Sequence, residues 1–324
     1  IIITGSSRSD KEIHIDLPDI DETDNFPIGN VLDYRKERDY LRSTINVLQR
    51  IGLELSTGWD IEIRGNIPIN SGTASSSALV VAWVKFLLEA AQWEQAKDPE
   101  FIAERAFDSE VAEFGEPGGR MDHYASALGG IVFIHFGKEM KLERLSNSLK
   151  TFVLADSMQR KNTTGTLGFI KGNVLRGISS VQEQIPDFSV YSQLGEGELR
   201  EIRRLPEDER RLLQGTLKTR DLTTEGLDLF KAKTFDHKKF GHLLNEQQAV
   251  LRENIRNSTD RINGLLEASL KAGALGGKIN GSGDGGCIFA YTPEHSVSVA
   301  DVLNSIGAKA HIVHVDSGAR IENE

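Results

Sequence analysis

Residues 78–91 read Ala-Leu-Val-Val-Ala-Trp-Val-Lys-Phe-Leu-Leu-Glu-Ala-Ala, apolar at every position except Lys85 and Glu89. A helix of that composition has no polar face for water, so the rest of the chain must enclose it. It is also too short and too interrupted to cross a bilayer, which takes about 18 or more apolar residues. Just upstream, Trp59-Asp60-Ile61-Glu62-Ile63-Arg64 alternates apolar and polar, the period of a half-buried strand. Gly65-Asn66 supplies turn chemistry, and residues 67–77 are small and polar. The predicted order is strand, small-residue loop, buried helix.

A chain of 324 residues is long for one core and predicts two domains, 1–151 and 152–324, with the boundary near Phe152. Its 39% hydrophobic and 27% charged residues are those of a globular protein. A net charge of -10 argues against a nucleic-acid binder, which concentrates Lys and Arg on one face. Cys287 is the single cysteine, so no intrachain disulfide forms, and a cytoplasmic location with no membrane association is expected. The chain opens on Ile1 in a strand-like Ile-Ile-Ile, which suggests further sequence upstream.

Further along, a helix is predicted over 99–114, strands over 131–136 and from 151, and amphipathic helices between about 193 and 272. The pattern returns to strand at 287–291 and 310–315. Three segments are candidates for chemistry. In the first, residues 68–78, small side chains let backbone N–H groups approach an anion at a helix N-terminus. Ser75, Ser76 and Ser77 offer hydroxyls for phosphate or Mg²⁺, or simply a serine N-cap. The Gly-Lys-Ser/Thr ending of a Walker loop is absent. In the second, Gly281-Ser282-Gly283-Asp284-Gly285-Gly286 spells a dinucleotide fingerprint. A strand-like segment follows where that motif requires a helix, so the choice lies between a glycine turn and a backbone surface with something bulky against it. The third is the carboxylate pair Glu110 and Asp122, able to hold a metal and orient an acceptor hydroxyl, or to be ordinary surface acids.

Taken in order, these segments resemble the GHMP kinases, and their galactokinase branch in particular. Gly65-Asn66-Ile67-Pro68, Gly72 and Ser75-Ser76 are similar to the branch's Gly-Asn/Asp-Val-Pro-x-Gly-x-Gly-Leu-Ser-Ser-Ser-Ala, without a gap. Glu110, Phe114-Gly115, Pro117, Gly119 and Met121-Asp122 resemble the segment with its Mg²⁺-binding Glu and catalytic Asp. Asn245-Glu246 with Leu251-Arg252-Glu253, the run 276–287, and Ser317 to Glu322 resemble three further family elements.

The resemblance implies an α+β fold of two domains, the first like ribosomal protein S5 domain 2 and the second ferredoxin-like, with ATP between them. It implies an ATP-dependent kinase acting on a small sugar-like substrate, most simply at the anomeric hydroxyl, as a monomer or homodimer. Pro68, Asn70, Ser71, Gly72, Ala74, Ser75, Ser76 and Ser77 would hold ATP, together with Gly281, Ser282, Gly283, Asp284 and Gly285. Ser76 and Glu110 would hold Mg²⁺, and Asp122 would be the catalytic base.

Several positions depart from the family pattern. Its first motif, with an Arg and a sugar-contacting Glu-His-x-x-Asp, is expected upstream of Ile1. Thr73-Ala74 replaces Leu-Ser, Asn70 a Gly and Ser77 an Ala, and residues 156–167 lack the family's Ser-Glu-Tyr. Other acceptors (a uronic acid, a pentose, a heptose phosphate, mevalonate) keep every role, with Arg160 and Lys161 available for a phosphate-bearing one. A catalytically silent sugar and ATP sensor is the alternative from another class.

Overall fold

The computed structural model describes residues 1–29, 31–68, 71–136, 140–146, 149–160 and 163–322, with side chains at all of these except Thr163 and Thr164. The described chain forms two compact units. The first comprises residues 1–69, 74–132 and 316–324, and the second 70–73 and 133–315. The division falls inside a strand near residue 132, and the C-terminal tail belongs to the first unit.

In the first unit, β1 (Ile2–Ser7), β2 (Glu12–Leu17), β3 (Glu22–Pro27) and, after helix α1 (Tyr40–Arg50), β4 (Trp59–Arg64) form one sheet in the order β1-β4-β2-β3. The alternation read in residues 59–64 sets its faces. Ile61 and Ile63 of β4 are buried with Ile13 and Ile15 of β2, while Asp60, Glu62, His14 and Asp16 face water. Helix α2 (Ser75–Ala90) is enclosed as its composition requires, with Val80, Val81, Trp83, Val84, Leu87 and Leu88 all buried. The Trp83 indole N–H donates to the Leu41 carbonyl at 3.0 Å. The two charges that interrupt the apolar run pair one helical turn apart, Lys85 Nζ to Glu89 Oε1 at 2.7 Å.

Helix α3 (Pro99–Phe107) starts where the sequence directs. Asp98 accepts from the Glu100 and Phe101 N–H groups, and Pro99 occupies the first turn. It does not continue as a regular helix to Phe114. Residues 108–112 form a single π turn, closed by Glu113 N–H to the Asp108 carbonyl at 2.9 Å. The Ser109 carbonyl, released by this register change, accepts from Ser43 Oγ at 2.8 Å. Helix α4 (Met121–Leu128) follows, then β5 (Ile131–Phe136), which pairs with β6 (Met140–Leu145). The tail is tied to the end of α4, Ala319 N–H donating to the Ser126 carbonyl at 3.0 Å.

The second unit is built on β7 (Phe152–Asp156), followed by helices α5 (Thr163–Gln182), α6 (Glu196–Arg204), α7 (Glu207–Lys231), α8 (His237–Val250) and α9 (Asp260–Lys271). Then come β8 (Gly276–Ile279), β9 (Cys287–Tyr291), α10 (Ser296–Ser305) and β10 (Lys309–Val313). The antiparallel sheet has the order β10-β7-β9-β8. With α9 and α10 as its crossovers this is the β-α-β-β-α-β arrangement of a ferredoxin-like layer. Val153, Ala155, Ile279, Ile288 and Ala290 pack against Ile262, Leu265, Val299 and Leu303 of those helices. Cys287 is buried and forms no disulfide. Among the described residues, no helix is long and apolar enough to cross a membrane.

Leu87 is fully buried on α2. Leu87→Ala is expected to cost about 2–5 kcal/mol, read as a lower midpoint in urea unfolding at unchanged slope.

Candidate active site

Helix α2 begins in an unusual way. Its N-cap is Ala74, held left-handed at φ 54°, and no side chain caps the first turn. The serine N-cap allowed by the sequence is therefore not formed. The first N–H groups of the helix keep no side-chain acceptor, and the serines that follow turn elsewhere. The hydroxyls of Ser76 and Ser77 stand close enough to Glu110 to favour its charged form.

Glu110 sits in the π turn with 7% of its surface exposed. Its other partner comes from α4, where His123 Nε2 lies 2.8 Å from Glu110 Oε2. Burial works to raise the Glu110 pKa. His123, through its hydrogen bond and its field, together with the hydroxyls of Ser76 and Ser77, outweighs it, and the carboxyl lies below the ordinary carboxylate range. Tyr40 stands nearby, its phenol pushed up by burial and then by the negative fields of Glu110 and Glu116. Asp122, next to His123, is exposed in the first turn of α4. One short helix thus turns a histidine inward to Glu110 and an aspartate outward to solvent.

The glycine-rich segment lies in the connection between the antiparallel strands β8 and β9, the turn context that the sequence allowed. Its glycines are packed against the chain's own backbone. A Cβ on Gly281 would stand 2.9 Å from the Gly72 carbonyl, one on Gly283 2.5 Å from that of Asn257, and one on Gly285 2.7 Å from that of Gln159. All three have positive φ. The first and second candidate loops therefore meet. Asn280 Nδ2 donates to the Gly72 carbonyl at 2.7 Å, and the Cys287 N–H to the Ser71 carbonyl at 2.7 Å. Ser71 and Ser282 are buried, and Asp284, left-handed at φ 58°, accepts from Thr166 Oγ1 at 2.5 Å. Pro68 is half-buried, whereas Asn70 and Lys161 lie outside the described residues.

Sequence reasoning missed Asn257, Asn280 and Gln159 as the pins of the glycine turn, and Tyr40 beside Glu110. Nothing local in the sequence marks them. Asn245, read as part of a family element, fastens β8 instead, accepting from Gly277 N–H at 3.1 Å.

With this geometry in view, comparison with known proteins is informative. The model of the GHMP kinases N terminal domain matches residues 39–130, and that of the GHMP kinases C terminal region matches 228–309. Mevalonate kinase of Pyrococcus furiosus is 27% identical over 317 residues, 98% of this chain and 81% of its own length. Galactokinase of Thermococcus kodakarensis is 28% identical over 262 residues, 79% of this chain and 71% of its own. Among solved structures, Lactococcus lactis galactokinase complexed with galactose superposes with a TM-score of 0.80 at 19% identity, covering 98% of this chain and 85% of that one. Methanococcus jannaschii mevalonate kinase gives 0.69 at 17%, covering 96% and 86%. The chain belongs to the GHMP kinases and has their two-domain α+β fold. Members of that family are ATP-dependent phosphotransferases with an alcohol acceptor.

The depressed Glu110 pKa carries a stability consequence for the metal-free protein. Its contribution is fully present above the unfolded carboxyl's pKa of about 4.3, and is lost as pH falls through the lower folded value. Glu110→Gln is accordingly expected to lower the melting temperature at pH 7, with the gap to the parent narrowing as pH drops below 4. A gap independent of pH would contradict the assignment.

Proposed function

We propose that the chain transfers the γ-phosphoryl group of ATP to a hydroxyl of a small sugar-like molecule, most simply the anomeric one. The observation that carries this reading is the buried Ser76–Glu110–His123 cluster at the N-terminus of α2, one residue in sequence from the outward-facing Asp122. Phosphate would be held by backbone N–H groups of residues 70–77 and by the turn around Gly281, Gly283 and Gly285. Ser71, Ser282 and Asp284 line these two loops, and Pro68 leads into the first.

The donors fit Mg²⁺, a hard cation that takes oxygen ligands and is commonly bound by one or two carboxylates plus substrate phosphates. Glu110 presents a carboxylate held below its ordinary pKa, and Ser76 a nearby hydroxyl oxygen whose lone pairs would suit a cation. When bound, the ion neutralises charge on the phosphates. Asp122 accepts the proton of the acceptor hydroxyl as its oxygen bonds to the γ-phosphorus and the bond to the β–γ bridging oxygen breaks, releasing ADP. Most of the acceleration comes from positioning and electrostatics.

Asp122→Asn is expected to lower turnover by at least ~10²-fold while a non-hydrolysable ATP analogue still binds. Near-normal ADP release would remove Asp122 from the mechanism. The acceptor is tested by ADP release across free sugars, sugar acids, a heptose phosphate and mevalonate. ADP release with mevalonate alone would replace the sugar by that acceptor, and no release with any compound would favour a sensor.

A further inference from the structure

His123 is almost completely enclosed, with 1% of its surface exposed and the edge of its ring against Phe107 at 5.7 Å. It has one polar partner among the described residues, the Glu110 carboxylate on Nε2 at 2.8 Å, while Nδ1 is buried without any. An ionised carboxylate only accepts hydrogen bonds, so Nε2 must carry the proton.

We propose that His123 is a positioning residue: its ring, donating from Nε2, clamps Oε2 of Glu110 so that Oε1 and the Ser76 hydroxyl share a fixed orientation toward the divalent cation that accompanies ATP. This rests on the metal role proposed above for Glu110. Three features support the clamp. The π turn gives Glu110 a backbone register outside the regular helical ladder, so its direction is set by side-chain partners and not by a helix face alone. The serines approach from α2 and the histidine from α4, so the carboxylate is gripped by two different helices. The ring cannot swing to another acceptor, because burial and the Phe107 edge leave it one polar contact among the described residues. Hydrogen-bond partners behind a metal ligand act in this way, by fixing the orientation of the ligand.

The test compares the affinity of a non-hydrolysable ATP analogue with Mg²⁺ and with EDTA, using calorimetry on the full chain. The ratio of the two dissociation constants isolates the part of binding that depends on the metal. His123→Phe keeps a ring and removes the donor, and is expected to lower that ratio by roughly 10–100-fold with little change in the EDTA arm. His123→Gln restores an N–H at comparable reach and is expected to recover most of it. An unchanged ratio in His123→Phe, while Glu110→Gln loses it, would overturn the clamp and leave the metal role of Glu110 standing. An unchanged ratio in Glu110→Gln would overturn both. If the variants do not fold, ¹⁵N NMR of the parent's histidine rings decides the matter. A proton on Nε2 of a slowly exchanging, buried ring supports the clamp, and a proton on Nδ1 alone, leaving Nε2 bare, overturns it.

Discussion

Glu110 carries its charge at a position that water hardly reaches, and much of the first unit is arranged to make that tolerable. Burying a lone carboxylate costs of order several kcal/mol even after relaxation. Two serine hydroxyls and one imidazole N–H offset this strongly enough to bring the pKa below that of a free carboxyl. That outcome needs three donors at fixed places. Helix α2 supplies two because its first turn is capped by no side chain, and α4 supplies the third because its C-terminal end is tied down by residues 317–319. The all-apolar body of α2 makes the arrangement rigid, since a helix buried on nearly every side cannot slide without opening its core.

The glycine-rich turn follows a different logic. Its glycines admit the chain's own carbonyls, those of Gly72, Asn257 and Gln159, at distances no Cβ would tolerate. The sequence suggested something bulky against this backbone, and the structure supplies that neighbour from within the second unit. Close backbone packing brings residues 71–73 to the turn without demanding particular side chains. At Ala74 the left-handed conformation costs roughly 1–2 kcal/mol relative to glycine, an outlay that the enclosed helix behind it can sustain.

The parts legible in the sequence were those with a strong local signal. The alternation of β4 and the apolar run of α2 each fix their own geometry, while the roles proposed for Ser76, Glu110 and Asp122 come from family spacing and from no local signal. Helix α5 escaped notice because Gly165, Gly168, Gly172 and Gly177 dilute its propensity, and its order comes from packing of Val174, Ile178 and Val181 on Leu213 and Leu217. The π turn was read as ordinary helix, since nothing in residues 108–112 announces the register change. What selects it is the buried contact of Ser43 and the demands of Glu110, both tertiary. The chain's division shows the same limit. Strand β5 crosses between units, and a short tail returns over 180 residues later, a pairing visible only in the folded state.

Relatives that act on a sugar and on mevalonate resemble this chain to a similar degree, and the geometry gives a physical reason for such a division. On the proposed reading, phosphate is held by backbone N–H groups at a helix start and by a glycine turn, neither of which depends on the identity of the acceptor. On the same reading the cation would be held by a buried carboxylate whose partners lie within the first unit. These parts are costly to alter, because a change leaves a charge or a donor unsatisfied in the interior. Family members can therefore diverge in substrate while the phosphoryl-transfer frame stays fixed.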